Sequence, residues 1–235
     1  MVYRNIIKGI FEERPNRFIA KVFVDGELCT VHVKNTGRCR ELLVKGAEVF
    51  LSVSDNPQRK TKYDLIGVKK ARKGKKPLLI NMDSQIPNDV VAEWLPDSGI
   101  FSPDAKIRRE VTHNSSRFDF YVQDTNRKAF IEVKGVTLEN NRVAAFPDAP
   151  TQRGIKHIKE LISCLDEGFE AYIIFVIQMK EVDYFTTNDL THKEFGITLR
   201  EAVAAGVKIL AFDCLVTEDS IAIDKQIPYN CNNFS

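Results

Sequence analysis

The sequence has no long apolar run, no closely spaced cysteine pair and no glycine-rich cofactor motif. No stretch approaches the roughly 18 to 20 consecutive apolar residues that a membrane-spanning helix needs. Charged residues interrupt the N-terminal stretch MVYRNIIKGIFEERPNRF too often for a signal peptide. The five cysteines are scattered without a CxxC pair, which argues against zinc sites and disulfide frameworks. We therefore expect a cytoplasmic protein without a membrane span.

The charge is distributed unevenly although the net charge is only +2. Residues 1–85 contain 18 Lys and Arg against 9 Asp and Glu, whereas residues 86–235 contain 16 basic and 23 acidic residues. A basic part joined to an acidic part suggests that one holds a polyanion and the other holds cations. We accordingly predict two domains, at residues 1–85 and 86–235.

The first domain has the pattern of short strands separated by turns. Asp25 and Gly26 form a hairpin signal between two β-rich runs. Five strands in about eighty residues fit a small all-β barrel of the OB type, and a small sandwich is the alternative. The predicted strands are residues 17–24, 28–34, 47–53, 63–69 and 77–81.

The second domain alternates strands and helices, which predicts a mixed-sheet α/β fold. Asn88 is the expected cap of a short helix at residues 89–94, and Thr151 is the expected cap of a longer one at 151–167. Gly206 is expected to close a third helix that begins at His192. The predicted strands are residues 117–124, 128–134, 171–178 and 207–213.

Two acidic residues and a lysine are spaced so that they can converge on one spot of the second domain. Glu132 and Lys134 are two apart in FIEVK and share one face of a strand, and a hairpin can bring Asp119 beside them. Two carboxylates in an apolar site repel each other, and a divalent cation relieves that repulsion. Mg²⁺ or Mn²⁺ prefers oxygen ligands and activates water at phosphodiesters, while a lysine stabilises developing negative charge. The alternative is the solvent face of an ordinary strand.

This spacing resembles the D…ExK arrangement of the PD-(D/E)xK nucleases, although Phe118 stands where those enzymes have proline. In that superfamily an acidic residue from the preceding helix often completes the metal site, which makes Glu110 a candidate third ligand; a solvated charge beside two arginines is the alternative. Arg153 and His157 lie four apart on one helical face, where they could hold a phosphate or relay a proton. A helix-start arginine and a partly buried histidine are the alternative.

The stretches HVKNTGRCREL, NSSRFDF, FIEVKGVTLEN, FPDAPTQRGIKHIKEL and LREAVAAGVKIL resemble the sugar fermentation stimulation protein (SfsA) family over about residues 3–225. The resemblance implies an OB-fold domain, a PD-(D/E)xK nuclease-like domain, DNA binding and a role in regulating sugar metabolism. It carries the nuclease-like core to Asp119, Glu132 and Lys134. Its other motif positions fall on Asn35, Gly37, Arg38, Glu41, Arg117, Asp148, Thr151, Arg153 and His157.

Residues 59–76 contain nine basic residues and one acid, Asp64. Such a segment can neutralise several phosphates and bind DNA without reading its sequence. The alternative is that the lysines protect an edge strand and aid solubility. The predicted nucleic-acid contacts are Lys34, Arg38, Arg40, Arg59, Lys60, Lys62, Lys69, Lys70, Arg72, Lys73, Lys75 and Lys76.

Two functions remain open from the sequence. The first is a sequence-nonspecific, Mg²⁺- or Mn²⁺-dependent nuclease acting on single-stranded, duplex or branched DNA. The second is a non-catalytic DNA-binding regulator that retains the nuclease fold. An enzyme of small-molecule sugar metabolism has no support, because the chain has no phosphate loop, dinucleotide motif or hydrolase triad. A homodimer is expected only by analogy with nuclease-like proteins that bridge two strands.

Overall fold

The chain folds into a closed β-barrel followed by a mixed α/β domain, in a computed structural model that describes residues 1–35 and 37–230. Cys231 lies outside the described residues; Cys29, Cys39, Cys164 and Cys214 are free thiols. Among the described residues, no helix is long and apolar enough to span a membrane.

The barrel confirms the predicted OB-type domain. Its strands are β1 (Ile6–Glu13), β2 (Ile19–Val24), β3 (Glu27–Val33), β4 (Glu48–Val53) and β5 (Tyr63–Lys70). They are ordered β3-β2-β1-β4-β5, and parallel pairing of β3 with β5 closes the barrel. A sixth strand, β6 (Leu78–Asn81), pairs with β5 in antiparallel orientation. Strand β1 was missed from the sequence because Gly9 interrupts its pattern. The glycine is required there, since a Cβ would lie 2.5 Å from Val22 Cγ1.

Over its described residues the second domain has two sheets and three α-helices, which confirms the predicted mixed α/β fold. The large sheet is ordered β15-β14-β12-β9-β8-β7, with parallel pairing among β9, β12 and β14, and the small sheet is ordered β10-β11-β13-β16. The helices are α1 (Ile86–Trp94), α2 (Gln152–Asp166) and α3 (Asp189–Ala205). The strands are β7 (Lys106–His113), β8 (Ser116–Gln123), β9 (Lys128–Val136), β10 (Leu138–Asn140), β11 (Val143–Phe146), β12 (Glu170–Ile177), β13 (Tyr184–Thr187), β14 (Lys208–Val216), β15 (Ile221–Gln226) and β16 (Tyr229–Asn230).

The large sheet is buried on both faces. Helix α1 packs on one face against a cluster that includes Phe120, Ile131 and Val133. Helices α2 and α3 cover the other face, where Phe118 and Phe130 belong to the second core cluster. Residues at alternate positions of β9 therefore face different helices, which places Glu132 and Lys134 toward α2.

Of the two predicted helix caps, Thr151 is confirmed and Asn88 is wrong. Thr151 caps α2, because its side chain accepts a hydrogen bond from the Gly154 N–H at 3.0 Å. Asn88 is not the cap of α1, which begins two residues earlier at Ile86. The Asp83 carboxylate accepts the Gln85 N–H at 3.0 Å and turns the chain into the helix there. Asn88 is consequently inside α1, and its amide is available for another partner.

Ion pairs across the domain junction account for part of the uneven charge. Lys70 Nζ lies 2.5 Å from the buried Glu139 carboxylate, and Arg72 lies 2.9 Å from Glu181. Lys69 lies 3.6 Å from Glu218 of the second domain. Several cations of the basic domain therefore pair with carboxylates of the acidic domain, and the binding of a polyanion by the remaining ones stays a prediction.

Candidate metal and nucleic-acid site

Asp119 lies where strands β8 and β9 separate. The ladder between them ends at the pair Phe120–Ile131, so Asp119 is the first residue beyond it. Its Oδ2 accepts the backbone N–H of Val133 at 2.7 Å, and its Oδ1 accepts from Asn88 Nδ2 at 2.7 Å. The carboxylate thus bridges the two separating strands beside Glu132 and Lys134.

The position of Asp119 does not follow from simple strand alternation. Phe118 and Phe120 are two residues apart but belong to core clusters on opposite faces of the sheet. Opposite them on β7, Glu110 has a left-handed backbone with φ of 55°. The two strands are therefore irregular at the same place, and that irregularity positions the Asp119 carboxylate.

Glu132 is the most enclosed member of the site, with 3% of its surface exposed. Its Oε1 accepts hydrogen bonds from Lys134 Nζ and, at 2.5 Å, from His157 Nδ1. Because a carboxylate only accepts, His157 Nδ1 carries hydrogen and Nε2 is free to accept from Arg153 Nε at 3.4 Å. The chain Arg153–His157–Glu132–Lys134 joins helix α2 to strand β9.

The two carboxylates have opposite pKa perturbations. Burial, and next the neighbouring Glu132 charge, raise the pKa of Asp119 above its ordinary value. Burial also acts to raise the pKa of Glu132, but Lys134 and His157 outweigh it and hold that pKa below its ordinary value. The pair therefore carries a mutual repulsion that the lysine compensates mainly at Glu132.

The second oxygen of Glu132 is a buried acceptor without a partner. Glu132 Oε2 has no hydrogen-bond donor among the described residues, although an unsatisfied buried carboxylate oxygen is costly. A divalent cation is one species that would satisfy this oxygen. Two carboxylates are enough for Mg²⁺, which binds through one or two carboxylates and keeps several waters. The residues present therefore fit such an ion.

Glu110 does not join the two carboxylates. It lies on strand β7, not on a helix as expected, between Arg109 and Val111, which pair with Phe120 and Phe118 of β8. Its side chain is exposed, and its carboxylate lies 3.7 Å from the Arg117 guanidinium. Within residues 1–35 and 37–230, no three His, Cys, Asp or Glu side chains are placed to hold a metal ion. The predicted third ligand is therefore not assembled in this structure.

The predicted nucleic-acid contacts separate into engaged and unengaged cations. Lys34 pairs with Asp83 at 2.6 Å, and Arg59 makes two 2.7 Å hydrogen bonds to Asp64. Lys69, Lys70 and Arg72 form the salt bridges across the domain junction described above. Lys69 also pairs with Glu48. Among the predicted contacts, those that are exposed and form no salt bridge within the described part of the chain are Arg38, Arg40, Lys60, Lys62, Lys73, Lys75 and Lys76.

Two clefts share residues Arg17 and Gly37 at the domain junction. The junction cleft, about 320 Å³, runs between Asn35 and Gly37 of the barrel and Asp148 and Thr151 of the second domain, and it also reaches Gly135. Gly135 directly follows Lys134, and Thr151 caps the helix that carries Arg153 and His157. Gly135 has to be glycine, because a Cβ would lie 2.5 Å from Gln178 Oε1.

The second cleft, here called the arginine cleft, has a volume of about 370 Å³ and contains Arg14, Arg17, Arg38 and Arg40. Neither Arg14 nor Arg17 was predicted as a contact from the sequence, since no local motif distinguishes them. Asn88 was also missed as a site residue, because its partner Asp119 lies 31 residues away.

The fold and this geometry define a class of two-domain protein: an OB-type barrel joined to a mixed-sheet α/β domain with a buried carboxylate–lysine cluster. Two family descriptions match the chain, "SfsA N-terminal OB domain" over residues 13–75 and "Sugar fermentation stimulation protein RE domain" over residues 85–220.

Similar proteins extend the match over nearly the whole chain. The sugar fermentation stimulation protein homolog of Clostridium beijerinckii is 57% identical and covers 95% of this chain and 96% of its own. The homolog of Desulfitobacterium hafniense is 58% identical over 94% of each chain. The SfsA structure from Pyrococcus furiosus, solved in complex with Ca²⁺, has a TM-score of 0.84, 25% identity and 98% coverage of both chains. This chain belongs to the sugar fermentation stimulation protein family.

Proposed function

We propose that this protein is a sequence-nonspecific DNA-binding protein with a divalent-metal-dependent phosphodiesterase site of the PD-(D/E)xK type. The observation that carries the proposal is the half-buried Asp119 and the buried Glu132 beside Lys134, with Glu132 Oε2 left without a donor among the described residues. The Ca²⁺ complex of the Pyrococcus furiosus relative supports a cation in this family. The names of the relatives connect it with sugar fermentation, and regulation of sugar metabolism is the setting we propose.

In this proposal Asp119 and Glu132 hold Mg²⁺ or Mn²⁺. The ion, when bound, supplies Lewis acidity that polarises the phosphodiester and lowers the pKa of a bound water. His157 keeps Glu132 oriented through Oε1, which leaves Oε2 for the ion. Lys134 neutralises Glu132 before the ion binds and afterwards offers its ammonium group to the negative charge that develops on the phosphate. Arg153, exposed on the same face of α2, is placed to contact a neighbouring phosphate.

A non-catalytic DNA-binding regulator is the second candidate function. Both oxygens of Asp119 already accept hydrogen bonds, and Glu110 pairs with Arg117 rather than with the site. Under this alternative the carboxylate cluster is a structural remnant, and the unengaged cations alone carry function.

The test is cleavage of single-stranded, duplex and branched DNA in Mg²⁺ or Mn²⁺, with Glu132→Gln and Lys134→Met as site variants. Glu201→Gln and Lys128→Met are matched controls, because both residues are exposed and lie outside the cluster. We expect the site variants to lose cleavage by at least about 100-fold while DNA binding is retained, a loss of about 2.7 kcal/mol in transition-state stabilisation.

Cleavage that survives unchanged in both site variants would reject the assignment of these residues. Binding of DNA without cleavage of any substrate would favour the regulator.

A further inference from the structure

The arginine cleft is cationic and contains no acidic side chain. Among the residues that line it, Arg17, Arg38 and Arg40 are exposed, and none of the three forms a salt bridge within the described part of the chain. By contrast, Lys69, Lys70 and Arg72 of the predicted basic segment are already paired with carboxylates. The arginine cleft therefore concentrates positive charge on the barrel, and the Asp148 carboxylate at its rim lies close enough to Arg14 and Arg38 to interact with both.

Arg14 holds the backbone of this cleft in place. Its Nη1 donates to the carbonyl oxygens of Gly37 and Arg38, both at 2.8 Å. Its Nη2 donates to the carbonyl oxygens of Arg17, at 2.7 Å, and Asn35, at 2.6 Å. One guanidinium thus ties together two loops that present the other arginines. A backbone ordered before the ligand arrives reduces the entropic cost of binding.

The arginine cleft is continuous with the junction cleft. Arg17 and Gly37 line both, and the junction cleft extends to Gly135, the residue after Lys134. The walls are close at Gly37, where a Cβ would lie 2.1 Å from Asp148 Oδ2. A polymer lying in the arginine cleft could therefore continue along the domain junction toward Gly135 and Thr151.

An exposed aromatic residue directly follows one of these arginines in the chain. Phe18 is 55% exposed although it directly follows Arg17 in the chain. Its backbone is fixed, because its N–H donates to Asn16 Oδ1 at 2.9 Å and its carbonyl accepts from the Val33 N–H at 2.8 Å. Proteins that bind single-stranded nucleic acid combine cations that contact the phosphates with aromatic side chains on which the bases stack. In a duplex the faces of the bases are already stacked on one another, so an aromatic side chain cannot stack on them.

We propose that the arginine cleft binds single-stranded DNA, with Phe18 as a base-stacking surface, and that the bound strand continues into the junction cleft. This inference rests on the proposed function as a DNA-binding protein and specifies its substrate as a single strand.

The experiment measures binding of fluorescent single-stranded and duplex oligonucleotides of one sequence by the full chain in EDTA, so that the metal site does not contribute. Phe18→Ala is compared with Phe23→Ala, a matched control because Phe23 is also an exposed phenylalanine at the other end of β2. A third variant, Arg17→Ala with Arg38→Ala, is measured as a function of salt concentration.

We expect Phe18→Ala to weaken single-strand binding about 5- to 100-fold, the range for loss of one stacked base, and to leave duplex binding within about twofold. Phe23→Ala should have no effect. The double arginine variant should flatten the salt slope for single strands by about 0.7 for each phosphate that the protein no longer neutralises.

Equal affinity for single strand and duplex, or equal effects of Phe18→Ala and Phe23→Ala, would overturn this inference and leave general DNA binding standing. Absence of binding to either oligonucleotide would overturn the proposed function as well.

Discussion

Replacing Lys134 with methionine tests whether the lysine compensates a buried carboxylate. Lys134 and Glu132 have only 17% and 4% of their side chains exposed. Loss of one partner of a buried ion pair costs about 3–5 kcal/mol, because the other charge remains buried. His157 Nδ1 remains 2.5 Å from the same carboxylate oxygen. We therefore expect a loss near the lower limit, about 3 kcal/mol.

This loss has a measurable thermal consequence. For a domain of 150 to 250 residues, each kcal/mol shifts the Tm by about 2–4 °C, so Lys134→Met should lower it by about 6–12 °C in EDTA. Mg²⁺ should restore part of the loss, because binding at about 100 times the Kd adds about 2.7 kcal/mol. The gain should exceed that of the wild type, since the variant has one positive charge fewer beside the ion.

The assay is thermal unfolding with urea titration at neutral pH, in EDTA and in Mg²⁺. Lys128→Met, on the same strand but exposed, should stay within about 0.5 kcal/mol of the wild type. The reasoning is refuted if Lys134→Met is as stable as Lys128→Met in EDTA, or if Mg²⁺ stabilises it less than the wild type.

Three further predictions concern the same structure. Burial and the Glu132 charge raise the pKa of Asp119, so the ionised form of Asp119 destabilises the fold above its ordinary pKa. In EDTA the stability of Asp119→Asn relative to the wild type should therefore rise from about pH 4 to pH 7 in urea titrations. A stability difference that does not change with pH would contradict this. Gly135→Ala should cost about 1–3 kcal/mol in the same titrations, because its Cβ would overlap Gln178 Oε1, and an unchanged midpoint would contradict the close packing. Neutralising the unengaged lysines of the basic segment should weaken DNA binding and flatten its salt dependence by about 0.7–0.9 for each phosphate left without a cation, whereas an unchanged slope would place the DNA elsewhere. Those lysines are Lys73, Lys75 and Lys76.

Local patterns were sufficient for much of the fold. The helical spacing after Thr151 and the β-branched run before Gln178 predicted α2 and β12 close to their observed bounds. Strand alternation likewise placed Glu132 and Lys134 on one face. Strand β7 (Lys106–His113) was missed because it is an edge strand with mostly exposed, charged side chains, and such a strand lacks the apolar alternation of a buried one.

Contacts between distant residues could not be predicted from the sequence. Asn88 has the local character of a helix cap, and only the turn at Asp83 moves the helix start so that Asn88 reaches Asp119. Lys70 lies in a run of basic residues, yet its partner Glu139 is 69 positions further along. Glu110 has a left-handed backbone conformation although it is not a glycine, so its residue type does not predict that conformation. These features depend on how the domains and strands pack together.

The central claim is that Asp119 and Glu132 hold a divalent cation, and direct titration with Mn²⁺ tests it. Mn²⁺ binding is followed by the loss of the free-ion paramagnetic resonance signal in the metal-free protein, with Glu132→Gln and the exposed control Glu201→Gln alongside. We predict that the wild type and Glu201→Gln bind Mn²⁺ and that Glu132→Gln loses this binding. Unchanged Mn²⁺ binding by Glu132→Gln, or none by the wild type, would contradict the claim.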